Sequence, residues 1–145
     1  MKIALGSDHG GFELKHEILA HLLKKGFEIE DFGCYTTDSV DYPVYGKKVA
    51  HAVADGKADL GIVCCGTGIG ISIAANKVKG VRCALPYSDY TAEMCKRHNN
   101  ANVLAFGGRT TSPEDAKRYI DIFLANEYEG GRHQKRLDML DEDIE

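Results

Sequence analysis

The densest concentration of reactive residue types in this chain is Cys65-Gly66-Thr67-Gly68-Ile69-Gly70. Alternate glycines let backbone N–H groups come close to an anion, and a helix beginning after them favours negative charge. A thiol at the head of such a turn has its thiolate stabilised, so Cys65 can act as a nucleophile or as a base near neutral pH. An anion cradle and a thiol in one turn point to chemistry on a small anionic substrate. The loop lacks the Lys-Ser/Thr pair of a Walker A sequence.

Three further groups carry polar chemistry. Gly6-Ser7-Asp8-His9-Gly10-Gly11 follows the first apolar run and offers a carboxylate and an imidazole for proton transfer or sugar hydroxyls. Taken alone, it reads as a solvated turn with Asp8 capping a helix. The same glycines, with Asp31 at the end of the next strand, invite comparison with a dinucleotide site. The spacing is not G-x-G-x-x-G, however, and Asp8 would face the pyrophosphate. In His98-Asn99-Asn100-Ala101-Asn102 three amides and an imidazole suit sugar hydroxyls, and equally suit a polar helix C-terminus with a left-handed Asn cap. Arg132 and Arg136, at i and i+4, share a helix face and could clamp a phosphate, with Arg109 as another guanidinium; a solvated charged tail is the ordinary alternative.

No His, Cys, Asp or Glu residues have metal-ligand spacing, so no metal and no cofactor is expected. The five cysteines match no disulfide framework. Cys34, Cys64, Cys83 and Cys95 read as packing residues or free thiols, and Cys64 and Cys65, adjacent on a strand, must face opposite ways. His16, His21 and His51 fall in helical patterns and read as surface or packing residues.

Short apolar runs at Ile3–Leu5, Phe27–Phe32, Leu60–Cys64, Val81–Leu85 and Val103–Phe106 read as strands. Between them, Leu14, Ile18 and Leu22, with Leu19 and Leu23 beside them, form a helical stripe that Gly26 would stop. Ser112-Pro113-Glu114-Asp115 is a helix start, and Ala116, Tyr119, Ile120, Phe123 and Leu124 supply its buried face. Alternating strands and helices predict an α/β fold with a mainly parallel sheet covered on both faces, whose ligands bind at the carboxyl ends of the strands. The loops to inspect are therefore Ser7–Gly11, Cys65–Gly70, Pro86–Asp89 and Gly107–Thr111. At 145 residues the chain is expected to be one domain, 1–145, with 130–145 as a C-terminal arm and a short charged helix over Arg132–Leu140. A net charge of -4 argues against nucleic acid as a partner, and no apolar run approaches the ~20 residues of a membrane span. With no signal-peptide pattern, a cytoplasmic location is expected.

Taken in order along the chain, Ser7-Asp8-His9-Gly10, Asp41-Tyr42-Pro43, Cys65-Gly66-Thr67-Gly68-Ile69-Gly70, Ala74-Ala75-Asn76-Lys77, His98-Asn99-Asn100-Ala101-Asn102 and Gly130-Gly131-Arg132-His133 resemble the ribose/galactose/allose-phosphate isomerases, the ribose-5-phosphate isomerase B family. The resemblance implies a Rossmann-like three-layer α/β/α sandwich that binds no nucleotide. It also implies a homodimer, or two such dimers as a tetramer, with each active site at the subunit interface. The reaction would be metal-free interconversion of ribose 5-phosphate and ribulose 5-phosphate through an enediolate. Cys65 matches the catalytic thiol; where other members place a glutamate this chain has Ile71, so proton transfer falls on Cys65 alone. Thr67 and the loop N–H groups of Gly66, Gly68, Ile69 and Gly70 would stabilise developing charge. By the same resemblance His98 opens the sugar ring, Asp8 binds or deprotonates a hydroxyl, and Asn99 orients the open chain. His9, Arg109, Arg132 and Arg136 would hold the phosphate. Allose 6-phosphate or galactose 6-phosphate is the alternative substrate, and a non-catalytic phosphate- or nucleotide-binding module the alternative from another class.

Overall fold

The computed structural model describes residues 1–145. Five strands, β1 (Lys2–Ser7), β2 (Glu28–Asp31), β3 (Leu60–Cys65), β4 (Cys83–Ala84) and β5 (Val103–Gly107), form one sheet in the order β2-β1-β3-β5-β4. Every pairing is parallel. The helices are α1 (Phe12–Lys24), α2 (Tyr42–Ala54), α3 (Ile69–Asn76), α4 (Asp89–Arg97), α5 (Pro113–Leu124) and α6 (Arg132–Asp138). No helix is long and apolar enough to cross a membrane.

The three layers follow from where each element hides its apolar side chains. Leu14, Ile18 and Leu22 of α1 pack with Ala116, Ile120 and Phe123 of α5 and with Ala92 and Cys95 of α4 on one face of the sheet. Val49, Ala50 and Ala52 of α2 pack with Ile71 and Ala75 of α3 on the other. Strand β3 lies between these layers and all six of its residues are buried, hence its unbroken apolar run. The predicted start of α5 is in place: Ser112 Oγ accepts the Asp115 N–H at 3.1 Å, with Pro113 in the first turn. Gly26 (φ +88°) ends α1 as expected.

Two strands are shorter than the sequence predicts. The expected Val81–Leu85 contracts to Cys83–Ala84 because side-chain amides occupy the edge: Asn102 Oδ1 accepts the Arg82 N–H at 2.7 Å and Asn76 Oδ1 accepts the Cys83 N–H at 2.8 Å. At the other edge, Phe27 donates its N–H to Leu22 O at the end of α1, so β2 begins only at Glu28. The C-terminal helix stops at Asp138 rather than Leu140.

Candidate active site

Strand order reverses between β1 and β3, where chain connections leave in opposite directions and open a crevice at the carboxyl ends. Register aligns Ser7 with Cys64 and Cys65 with Gly107, so the three loops that follow β1, β3 and β5 emerge side by side. Glycines allow those loops to touch through their backbones. A Cβ on Gly10 would lie 3.0 Å from the Gly66 nitrogen, and one on Gly107 would lie 2.6 Å from the Thr67 carbonyl carbon. Gly108 N–H donates to Cys65 O at 2.8 Å and Arg109 N–H donates to Gly66 O at 2.9 Å, tying the third loop to the second.

Cys65 and Cys64 do face opposite layers, as strand geometry requires. Cys64 is sealed among α1, α4 and α5, where burial pushes its thiol far above the ordinary range. Cys65 lies on the α2–α3 side at the mouth of the crevice, and its Sγ accepts the Gly68 N–H at 3.2 Å. Gly68 sits at φ +78°, the left-handed turn that swings this N–H back onto the sulfur. Thr67 is exposed, with its Oγ1 accepting the Ile69 N–H at 3.2 Å. The N–H groups of Gly66, Thr67, Gly70 and Ile71 have no partner within the chain. Unpaired donors around a thiol at a helix start form a cradle for a small anion or an oxyanion. Tyr42 closes one side: a Cβ on Gly70 would lie 2.6 Å from its Cζ.

Asp8 is buried and its Oδ1 accepts the Gly11 N–H at 3.1 Å, so it caps the 3-10 turn His9–Gly11 while flanking the crevice. His9 Nδ1 accepts the Val40 N–H at 3.2 Å, which fixes the Nε2–H tautomer for a neutral ring. His9, Glu13, Thr37 and Arg109 border a pocket of about 360 Å³ beside the loops. Arg109 is exposed and forms no ion pair. Its guanidinium lies over Gly66, with Nη1 2.9 Å from where a Cβ on that glycine would be. Asp31 is not a ribose-binding acid. Its Oδ1 accepts from Lys15 Nζ at 2.8 Å and from the Gly33 N–H at 2.9 Å, holding a lysine that is almost wholly buried. Lys15 also donates to Cys34 O at 2.6 Å. That buried cation gave no signal in the sequence, because it occupies a helical position next to an apolar stripe and reads as a solvated residue.

The remaining sequence-predicted residues lie at the other edge of the sheet. His98 ends α4 and leads into β5, whose Val103 pairs with Gly61 whereas Cys65 pairs with Gly107. Four strand residues therefore separate the two levels, about 13 Å along the sheet. Asn99 is exposed there, and Asn100 (φ +43°) is the left-handed helix cap. Arg132 and Arg136 of α6 are exposed at that same edge, without a carboxylate partner. His133 of α6 is buried against His98, the rings stacked 4.2 Å apart at 17°. Glu129, which the sequence analysis does not single out, faces both: Oε2 is 3.7 Å from His98 Nε2 and Oε1 is 3.5 Å from His133 Nε2. The available signal was its i,i+4 spacing to His133 across a double glycine. Burial alone would push the Glu129 carboxyl up, but Arg97 Nε at 2.8 Å, with His98 and His133, holds it below its ordinary value. This trio is the chain's one grouping of potential metal ligands. The near-parallel rings aim their in-plane lone pairs alongside one another rather than at a common point, so sharing an ion requires one ring to turn.

A family model described as Ribose/Galactose Isomerase matches residues 3–140. Ribose-5-phosphate isomerase B of Escherichia coli (strain K12) is 51% identical over 139 residues, 96% of this chain and 93% of that protein. The solved ribose-5-phosphate isomerase B of Clostridium thermocellum superposes with a TM-score of 0.95 at 51% identity, covering 97% of this chain and 95% of the other. The same enzyme from Mycoplasma genitalium, solved with bound ribulose-5-phosphate, gives 0.90 at 43% identity over 96% and 93% of the two chains.

Proposed function

The chain belongs to the ribose/galactose isomerase family, and from that premise we propose that it interconverts ribose 5-phosphate and ribulose 5-phosphate with Cys65 as the proton-transfer group. The observation that carries this assignment is the Cys65 sulfur set at the crevice mouth beneath a glycine loop whose N–H groups are unpaired. Bound ribulose-5-phosphate in the Mycoplasma genitalium relative supports the pentose rather than a hexose.

In ring opening His98 takes the proton of the anomeric hydroxyl as C1=O1 forms. The same proton passes from His98 to O4 as the C1–O4 bond of the furanose breaks. The Cys65 thiolate then takes the proton from C2, and the resulting enediolate is stabilised by Thr67 and the free loop N–H groups. Return of the proton to C1, with the O2 hydroxyl proton passed to O1 as C2=O2 forms, gives the ketose. Asp8 holds a sugar hydroxyl, Asn99 orients the open chain, and His9, Arg109, Arg132 and Arg136 bind the phosphate. Phosphate binding of this kind positions the reacting carbons for the proton transfer.

These roles need residues from both edges of the sheet, which favours a site built between two copies. One copy supplies the Cys65 loop, Asp8, His9 and Arg109; the other supplies His98, Asn99 and α6. Exposed Tyr42, Ile69 and Ile73 beside the Cys65 loop give such an interface an apolar surface. The enzyme is thus a homodimer, or a pair of dimers, acting in the cytoplasm without a metal. Turnover of ribose 5-phosphate by the purified protein, with and without EDTA, is the direct test. We expect EDTA-resistant turnover faster than that of allose 6-phosphate, abolished in a folded Cys65→Ala variant that still binds phosphate. Near-normal turnover in that variant removes the thiol from the mechanism, and no turnover by the folded parent overturns the assignment.

A further inference from the structure

Glu129 is held more firmly than an exposed loop carboxylate needs to be. Its N–H donates to Arg97 O at 3.0 Å, and Arg97 Nε donates back to Oε2 at 2.8 Å. Arg97 is itself braced by Glu93 at 2.7 Å. Gly130 and Gly131, at φ +67° and +57°, then reverse the chain so that α6 lays His133 against His98. One carboxylate oxygen thus lies toward each imidazole, and the buried His133 Nε2, 3.5 Å from Oε1, has no hydrogen-bond partner. An anchored carboxylate facing one ring nitrogen favours the tautomer with the proton on that nitrogen and fixes the plane of the ring.

We propose that Glu129 is the positioning residue of the ring-opening step, holding His98 as its Nε2–H tautomer so that Nδ1 exchanges the proton with the sugar. This rests on the assignment of ring opening to His98. The stacked His133 keeps the His98 ring from rotating away, with Nε2 toward the carboxylate at 3.7 Å.

Ribulose 5-phosphate offers a way to separate this role from general damage. Its C5 oxygen carries the phosphate, so it has no furanose to open, yet its C1 proton exchanges with solvent through the enediolate. For Glu129→Gln we expect turnover of ribose 5-phosphate to fall about tenfold or more through kcat, as for a misoriented proton donor. Deuterium wash-in from D2O at C1 of ribulose 5-phosphate should stay within about twofold of the parent, because that exchange runs through Cys65 and needs no ring opening. The 15N spectrum of His98 should change from one tautomer to a mixture, and Glu129→Asp should recover part of the lost turnover. Equal losses in both assays, or an unchanged tautomer, overturn the proposal. His98→Asn is the control. If it loses ring opening while Glu129→Gln does not, the positioning role fails alone; if neither loses it, the assignment of His98 fails first. Should Glu129→Gln not fold, Arg97→Met keeps the carboxylate but removes its anchor, and the same contrast between the two assays decides.

Discussion

Replacing Gly68 by alanine perturbs the crevice at the point where backbone conformation and catalytic geometry meet. At φ +78° an L side chain costs about 1–2 kcal/mol from the left-handed backbone alone. The added Cβ would also lie 2.7 Å from Leu85 Cδ1, 2.8 Å from the Phe106 carbonyl carbon and 3.0 Å from the Gly107 nitrogen. Leu85 can turn aside, but the other two atoms are backbone of the interior strand β5 and cannot. Overpacking of that kind adds about 1–3 kcal/mol, for a total of about 2–5 kcal/mol. Gly26→Ala is the internal comparison, because Gly26 has φ +88° with nothing within 4 Å of its Cβ position; it should cost only the backbone share, about 1–2 kcal/mol. Urea unfolding of both variants at one protein concentration, with unchanged slope, measures the difference. In turnover assays the contrast should be larger still. Relief of the clash moves the Gly68 N–H away from Cys65 Sγ, now 3.2 Å distant, and a displacement near 1 Å costs on the order of 100-fold in rate. Gly26→Ala should turn over normally. Equal destabilisation of the two variants, or parent-like turnover by Gly68→Ala, would refute the loop geometry as the source of Cys65 function.

A site shared between copies predicts complementation: Cys65→Ala and His98→Asn, each inactive alone, should regain about a quarter of parental activity when refolded together, since half of randomly paired dimers are mixed and each holds one intact site. No recovery, with mixed dimers demonstrated by mass spectrometry, would mean that both residues act within one chain. In the buried Lys15–Asp31 pair the stranded charge differs with the partner removed, because the Lys15 side chain is 1% exposed and that of Asp31 22%. Asp31→Asn should therefore cost about 3–5 kcal/mol in a urea melt, and Lys15→Met distinctly less; the reverse order would refute a buried ammonium. Desolvation raises the Asp121 carboxyl, but hydrogen bonds from Lys25 and His21 outweigh it and hold the group below its ordinary 3.8. Its stabilisation is complete above about pH 4 and fades as pH falls through the depressed value, so parent and Asp121→Asn stabilities should converge in acid. A stability gap that widens below pH 4 would reverse that sign.

The parts of this molecule that the sequence announces are those governed by local rules. Alternating apolar runs predicted the parallel sheet, and Ser112-Pro113 placed a helix start that depends only on its own neighbours. Strand pleating alone separated Cys64 from Cys65 into different layers. What escaped notice depends on groups far apart in the chain. Asn76 and Asn102 take over the edge hydrogen bonds of β4, Lys15 finds its counter-charge 16 residues away, and Glu129 reaches a histidine 31 positions earlier. One long-range feature nonetheless follows from topology. In a right-handed βαβ sheet every strand ends, and every following helix begins, at one edge, while helix ends and strand starts collect at the other. Cys65 closes a strand and His98 closes a helix, so a parallel fold assigns them to opposite edges before any coordinate is known. The proposed chemistry asks for both groups on one sugar, and that placement is why complementation between two inactive variants is the test of a site shared by two chains.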